Sequence, residues 1–94
     1  MVAGLERWSG KVVEGRDLVV DLHGLSVPAS RAAAAYGLRR ADEAGKDLVL
    51  ITGKGRSSGE PRVAKEVLSF VFDEGRVPEI EPQNMGRVRV RRTK

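Results

Sequence analysis

Apolar residues in this chain fall into short runs that are separated by stretches rich in glycine, proline or charge. Two of the runs, residues 17–22 (DLVVDL) and 47–52 (DLVLIT), resemble each other and are rich in valine and leucine. Continuous apolar runs of this length, bounded by polar residues, are typical of strands that are buried on both faces. We therefore predict a buried strand at each of these two positions.

Two longer segments have the apolar spacing and the end signals of helices. Residues 26–45 are rich in alanine, and Ser26 stands at the N-cap position. Gly37 lies inside this segment and weakens the helix by about 1 kcal/mol relative to alanine, so we predict that it makes a close contact with the sheet. In residues 59–75, one helical stripe carries the apolar side chains of Val63, Val67, Phe70 and Val71.

The end of the chain has the pattern of a hairpin. Residues 76–82 form a short predicted strand, residues 83–86 a turn, and residues 87–92 (RVRVRR) the last strand. The predicted order is β-α-β-α-β-β, an α/β fold with a mixed four-stranded sheet packed by two helices. We predict an N-terminal arm at residues 1–15 and one domain at residues 16–94.

Length and composition narrow the function classes. A chain of 94 residues with 40% hydrophobic and 32% charged residues fits one globular domain. It has no cysteine and one histidine, which excludes disulfides and makes a structural zinc site improbable. It carries no apolar segment long enough for a secretory signal or a membrane span. We expect an intracellular monomer that has no membrane partner.

Basic residues are concentrated at the C-terminus. Residues 87–94 hold five basic residues and no acid, whereas the preceding part of the chain is nearly balanced. Strict alternation places Val88 and Val90 on one face of the last strand and the side chains of Arg87, Arg89 and Arg91 on the other. Two interpretations stay open: a solvated edge strand whose charges prevent edge pairing, or a row of guanidinium groups that binds a phosphate backbone.

Two polar motifs follow the two buried strands. Strands joined by one helix are normally parallel, so their carboxyl ends share one edge of the sheet, where ligands of open α/β sheets tend to bind. DLHG (residues 21–24) ends the first strand, with Asp21 and His23 at a spacing that places both on one face. A carboxylate beside an imidazole can orient it as a general acid or base. The alternative is that His23 only caps the following loop.

The second motif is a glycine-rich loop, TGKGRSSG (residues 52–59), between a strand and a helix. Its glycines permit close approach of a ligand, and Lys54 and Arg56 are cations that could bind a phosphate. The spacing fits neither the P-loop nor the dinucleotide-binding fingerprint, which disfavours a nucleotide cofactor. A glycine-rich loop by itself is usually only a flexible connection. Because this loop and DLHG lie at the same edge of the predicted sheet, the two motifs together predict a phosphate site next to an acid/base group.

Together these motifs resemble the small MutS-related (Smr) domain. The family's L-D-x-H-G-like motif is matched by Asp21, His23 and Gly24, and its [HT]-G-x-G motif by residues 52, 53 and 55, over a likeness spanning about residues 16–92. The resemblance implies a two-layer α/β sandwich similar to the C-terminal domain of translation initiation factor three. It also implies nucleic-acid binding and, in many members, endonucleolytic cleavage of DNA or RNA.

One position separates groups within the family. Thr52 stands where many bacterial members have histidine, which removes a potential second proton-transfer group. The threonine form is similar to Smr domains at the C-termini of plant organellar pentatricopeptide-repeat proteins. The resemblance therefore implies the bacterial cytoplasm, or a chloroplast or mitochondrion if the chain is excised from a longer organellar protein.

The leading hypothesis is an endonuclease that cleaves a phosphodiester bond. In this hypothesis His23 transfers the proton, and Asp21 orients His23 or holds a divalent cation such as Mg or Mn. The glycine-rich loop stabilises the negative charge that develops on the phosphate. The predicted nucleic-acid-binding residues are Gly24, Thr52, Gly53, Lys54, Gly55, Arg56, Arg87, Arg89 and Arg91. One alternative is a non-catalytic module that binds RNA or the ribosome through the same surface. Another is a protein-interaction domain whose basic tail only aids solubility.

Overall fold

The computed structural model describes residues 12–52, 61–81 and 84–93. These parts of the chain contain two helices and a single sheet. In chain order the elements are β1 (Val12–Glu14), β2 (Leu18–Asp21), α1 (Val27–Ala44), β3 (Leu48–Ile51), α2 (Pro61–Asp73), β4 (Pro78–Glu81) and β5 (Asn84–Val90). The predicted α/β class and the predicted order from β2 onward are confirmed.

The sheet is mixed, with the strand order β1-β2-β3-β5-β4. β2 and β3 are parallel, with Leu18 opposite Leu48 and Asp21 opposite Ile51, and the other neighbouring pairs are antiparallel. The described sheet therefore has five strands where four were predicted. The additional strand, β1, comes from the predicted arm, and the chain returns through a three-residue bend to pair it with β2.

The last strand does not lie at an edge. β5 pairs with β3 on one side and with β4 on the other, so the interpretation of RVRVR as a solvated edge strand is wrong. The outer position belongs to β4, which begins at Pro78. Proline has no N–H to donate and suits an edge. β5 also begins at Asn84, so that residues 84–86 of the predicted turn belong to the strand.

One face of the sheet carries the core. Alternate residues of the three central strands are fully buried there, and the apolar stripes of both helices join them in a single cluster. The predicted inward packing of Val88 and Val90 is confirmed, as is the predicted stripe of α2. The other face differs from strand to strand: Val49 is fully buried, whereas Val19 and Asp21 are only half-buried. The prediction that β2 is buried on both faces is therefore wrong.

Local signals account for α1. The Ser26 hydroxyl accepts a hydrogen bond from the Ala29 N–H (3.2 Å), and Gly45 ends the helix with φ 69°. The predicted contact of Gly37 with the sheet is confirmed: a methyl group at this position would lie 2.8 Å from Val20 Cγ2 and 3.1 Å from Leu48 Cδ1. The missing side chain lets α1 pack directly on β2 and β3.

Candidate functional site

The carboxyl ends of β2 and β3 lie side by side at one edge of the sheet, which we call the motif edge. The Leu22 N–H donates a hydrogen bond to Ile51 O (2.8 Å), and the Thr52 N–H donates one to Gly86 O (2.7 Å). The ends of the two strands that carry the motifs therefore meet as the parallel arrangement predicts. Residues 53–60, including Gly53, Lys54, Gly55 and Arg56, lie outside the described residues.

A tight turn follows β2 at the motif edge. The Leu25 N–H donates a hydrogen bond to Leu22 O (3.1 Å), and Gly24 has φ 85°. A positive φ at the third residue of such a turn is typical of type II and favours glycine. The Asp21 carboxylate accepts the N–H of His23 at 2.9 Å. Asp21 and Gly24 are thus both explained by the backbone that holds His23 at the corner.

His23 stands at the corner of this turn. It occupies the second position of the turn, where its side chain is exposed. The bond from its main-chain N–H to Asp21 fixes its backbone. The imidazole is thereby presented at the motif edge from a corner that is held by two hydrogen bonds. That Asp21 also orients the imidazole ring stays a prediction.

Thr52 has a structural role in addition to the predicted one. It is 4% exposed, and its hydroxyl and main-chain N–H both donate to the carbonyl oxygen of Gly86, at 3.3 and 2.7 Å. These bonds join the end of β3 to β5. The hydroxyl is buried and directs its proton at the Gly86 carbonyl, and a contact of Thr52 with a nucleic-acid phosphate stays a prediction. The sequence analysis did not identify Gly86, whose carbonyl oxygen accepts both of these hydrogen bonds.

The three arginines of RVRVR do not form a uniform row. Arg89 is largely buried, and its Nη1 donates to Asp17 Oδ2 (3.2 Å) and Asp47 Oδ2 (3.1 Å). Burial disfavours the charged form of Arg89, but the two aspartates together outweigh this effect and raise its pKa. Arg89 therefore has a structural role at the end of the sheet opposite His23, and its contact with phosphate stays a prediction.

The other two arginines differ in position. Arg91 follows the end of β5, and its Nε donates to Glu79 Oε1 at 3.2 Å in an exposed pair. Arg87 lies in β5 opposite Ile51, which in turn lies opposite Asp21. Asp21, Ile51 and Arg87 thus form a row across the motif edge, on the face of the sheet away from the core. Of the three arginines, Arg87 is the one adjacent to the predicted site.

A groove beside the first turns of the two helices adds two cations that the sequence analysis did not single out. It has a volume of about 400 Å³ and is lined by Val27, Arg62, Lys65, Glu66 and Ser69. Val27 is the first residue of α1, and Arg62 is the second of α2. In the sequence, these two cations look like the ordinary polar face of a helix, which gives no signal of a site.

The described residues contain neither an assembled metal site nor a membrane-spanning helix. Across residues 12–52, 61–81 and 84–93, no three histidine, aspartate or glutamate side chains come together as metal ligands. The predicted Mg or Mn ion therefore finds no assembled ligand set in that part of the chain. No helix within the same ranges has the length and apolar character needed to cross a bilayer.

Comparisons with protein-family models, with curated proteins and with solved structures give no match to this chain. The resemblance to the Smr family therefore rests on the two sequence motifs.

Proposed function

We propose that this chain is an Smr-type nucleic-acid-binding domain, with the two-layer sandwich that this family implies, and that it cleaves a phosphodiester bond at the motif edge. The observation that carries the proposal is the exposed His23, which the turn after β2 presents beside the end of β3. The glycine-rich loop leaves β3 at the same edge. This arrangement combines an acid/base group with a loop suited to a phosphate.

In the proposed reaction His23 takes a proton from the attacking oxygen, either of water or of a ribose 2′-hydroxyl. That oxygen forms a bond to phosphorus as the bond to the leaving oxygen breaks. The leaving oxygen takes its proton from water or from the His23 imidazolium, because the Thr52 hydroxyl is buried and donates to Gly86 O. Lys54 and the amides of its neighbours stabilise the added negative charge.

Asp21 acts in this proposal as a positioning residue. Its carboxylate accepts the His23 N–H and so maintains the corner from which the imidazole projects. An asparagine could accept the same hydrogen bond through its carbonyl oxygen without the charge. The two functions of Asp21, holding the turn and supplying a negative charge, can therefore be separated by substitution.

The test is the cleavage of labelled single-stranded RNA and supercoiled DNA by the wild type and by the variants His23→Ala, Asp21→Asn and Asp21→Ala. We expect His23→Ala to lower the rate by about 100-fold or more, as is typical for the loss of a general base. A role limited to the turn predicts that Asp21→Asn retains activity and Asp21→Ala loses it. Equal cleavage by wild type and His23→Ala would remove His23 from the mechanism and point to a contaminating nuclease.

A second candidate function is a non-catalytic module that binds RNA or the ribosome at the same edge. It is favoured by the structural roles of Asp21, Gly24 and Thr52, three of the residues that match the family motifs. This candidate predicts that Lys54→Ala weakens RNA binding while the wild type shows no cleavage with Mg²⁺ or Mn²⁺. Metal-dependent turnover that His23→Ala abolishes would exclude it.

A further inference from the structure

The groove lined by Val27, Arg62, Lys65, Glu66 and Ser69, which we call the helix groove, is unevenly charged. Among its described lining residues the one acid is Glu66, which is already paired: Arg31 Nη1 donates to Glu66 Oε2 at 2.6 Å. Arg31 also lies over the Phe70 ring, 5.3 Å from its centre, which holds the guanidinium in place. Arg31, which does not line the groove, therefore compensates the negative charge of Glu66.

The two cations of the helix groove have no such partner. Arg62 and Lys65 are exposed, and within the described ranges neither of them forms an ion pair or a hydrogen bond from its side chain. They are three residues apart on α2, so that their side chains lie on one side of the helix. The helix groove thus presents two positive charges beside the apolar side chain of Val27.

The helix groove also lies near the motif edge. Val27 follows His23 by four residues, so their Cα atoms are no more than about 14 Å apart even if the chain is fully extended. α2 begins after the loop that leaves β3 at the motif edge. A polymer that reaches His23 can therefore continue over the first turns of α1 and α2.

We propose that the helix groove binds the phosphate backbone of a single nucleic-acid strand next to the nucleotide that reaches His23. Arg62 and Lys65 each contact a phosphate, and a sugar or base packs against Val27. The inference rests on the proposed function, to which it adds two binding residues and a path for the strand. Phosphate contacts of this kind position a strand without selecting its sequence.

The experiment measures the binding of fluorescein-labelled single-stranded RNA by anisotropy at several salt concentrations. It compares the wild type with the double variant R62Q/K65Q, and the loss of two single-strand phosphate contacts should lower the slope of log affinity against log salt by about 1.4. Affinity at low salt should fall by about tenfold. The charge-preserving variant R62K/K65R should restore most of the slope.

The matched control is R16Q/R39Q, which removes the same charge from two exposed arginines elsewhere. Arg16 precedes β2, at the opposite end from His23, and Arg39 is about 18 Å along α1 from Val27. If R62Q/K65Q and R16Q/R39Q change the slope equally, the helix groove is not a binding site. The inference then fails, while the proposed function is unaffected. If the wild type binds neither RNA nor DNA, the proposed function fails as well.

The last comparison uses polyglutamate, a ligand of a different chemical class. Polyglutamate carries a negative charge on every residue but has no sugar or base. Tighter binding of polyglutamate than of RNA, with the same dependence on Arg62 and Lys65, would show that the helix groove takes an acidic peptide and would overturn the proposal.

Discussion

At the scale of single residues, the clearest demands come from the backbone and from close packing. Gly24 supplies the positive φ of the turn that presents His23, and Gly37 supplies the space in which α1 meets β2 and β3. The close contact of Gly37 could be predicted because a glycine inside a helix is unfavourable unless something compensates for it. The exposure of His23 could not, since a lone histidine after a strand is compatible with either a cap or a site.

Gly37→Ala tests the close packing of α1. The added methyl group would approach Val20 Cγ2 to 2.8 Å, and Val20 is β-branched and fully buried, so it cannot rotate away easily. Overpacking costs about 1–3 kcal/mol, against about 1 kcal/mol gained in helix propensity. We expect a net loss of about 1 kcal/mol, or about 4–8 °C in Tm for a domain of this size.

Urea unfolding followed by circular dichroism measures this loss, and Gly15→Ala is its control. A methyl group at Gly15 meets nothing within 4 Å, and its φ is not positive. Gly15→Ala should leave the free energy of unfolding nearly unchanged. If Gly37→Ala is as stable as Gly15→Ala, α1 can move away from the sheet without cost, and the close contact has no energetic role.

At the scale of elements, the sequence predicted both helices, most strands, the parallel pair of β2 and β3 and the hairpin of β4 and β5, but not which strand of that hairpin lies beside β3. The hairpin of β4 and β5 could in principle place either strand next to β3. Val88 and Val90 suit an interior strand, and Pro78 suits an edge. That proline was the available signal for the order that the structure shows. β1 carried weaker information, because three residues are too few to display an alternating pattern.

Thr52→Val tests whether the end of β3 serves structure or chemistry. Valine has nearly the shape of threonine but no hydroxyl, and the Thr52 N–H still donates to Gly86 O. Because that carbonyl keeps a partner, we expect the free energy of unfolding to change by less than about 1 kcal/mol. Cleavage and RNA binding should also be unchanged.

Nuclease and anisotropy assays on Thr52→Val give the readout, with the thermal melt as a check of folding. A variant that melts like the wild type but no longer cleaves would show that the hydroxyl acts on the substrate. The structural assignment of Thr52 would then be wrong.

At the scale of the whole molecule, ion pairs connect the strands at the edge of the sheet opposite the motif edge. Asp17 and Asp47 precede the parallel strands β2 and β3 at equivalent positions, and Arg89 from β5 bonds to both. Two adjacent carboxylates would repel each other without this guanidinium. The repeated DLV that starts both strands was visible in the sequence. The link to Arg89 was not, because it depends on which strand lies beside β3.

Further ion pairs extend this edge to the neighbouring elements. Arg40 of α1 donates to Glu14 of β1 at 2.9 Å, and Lys46 donates to the carbonyl oxygen of Gly15 at 2.7 Å. The hydrogen bond from Arg40 lowers the pKa of Glu14. The Arg92 N–H, which donates to Asp47 Oδ1 at 2.9 Å, lowers the pKa of Asp47, and Arg89 adds to this effect.

These pKa shifts predict that acid weakens the fold through this edge. Asp47 binds its proton less readily in the folded than in the unfolded chain, so its contribution to stability is complete above the unfolded pKa of about 3.9. It is lost as the pH falls through the lower, folded pKa. Asp47→Asn keeps an acceptor for the Arg92 N–H but cannot titrate. We therefore expect Asp47→Asn to be less stable than the wild type at neutral pH and to lose less stability between about pH 5 and pH 2.

Thermal melts at a series of pH values compare this variant with the wild type and with Asp73→Asn. Asp73 is an exposed aspartate at the end of α2 and has no ion pair or hydrogen bond from its side chain within the described residues. Asp73→Asn removes the same charge but no bond to an arginine, so it should flatten the curve of Tm against pH less than Asp47→Asn does. Glu14 still titrates in Asp47→Asn, so its curve should flatten without becoming level. If the curves of Asp47→Asn and the wild type are parallel, the carboxylate of Asp47 does not couple folding to pH, and the attraction of Arg89 and Arg92 for it adds nothing to stability.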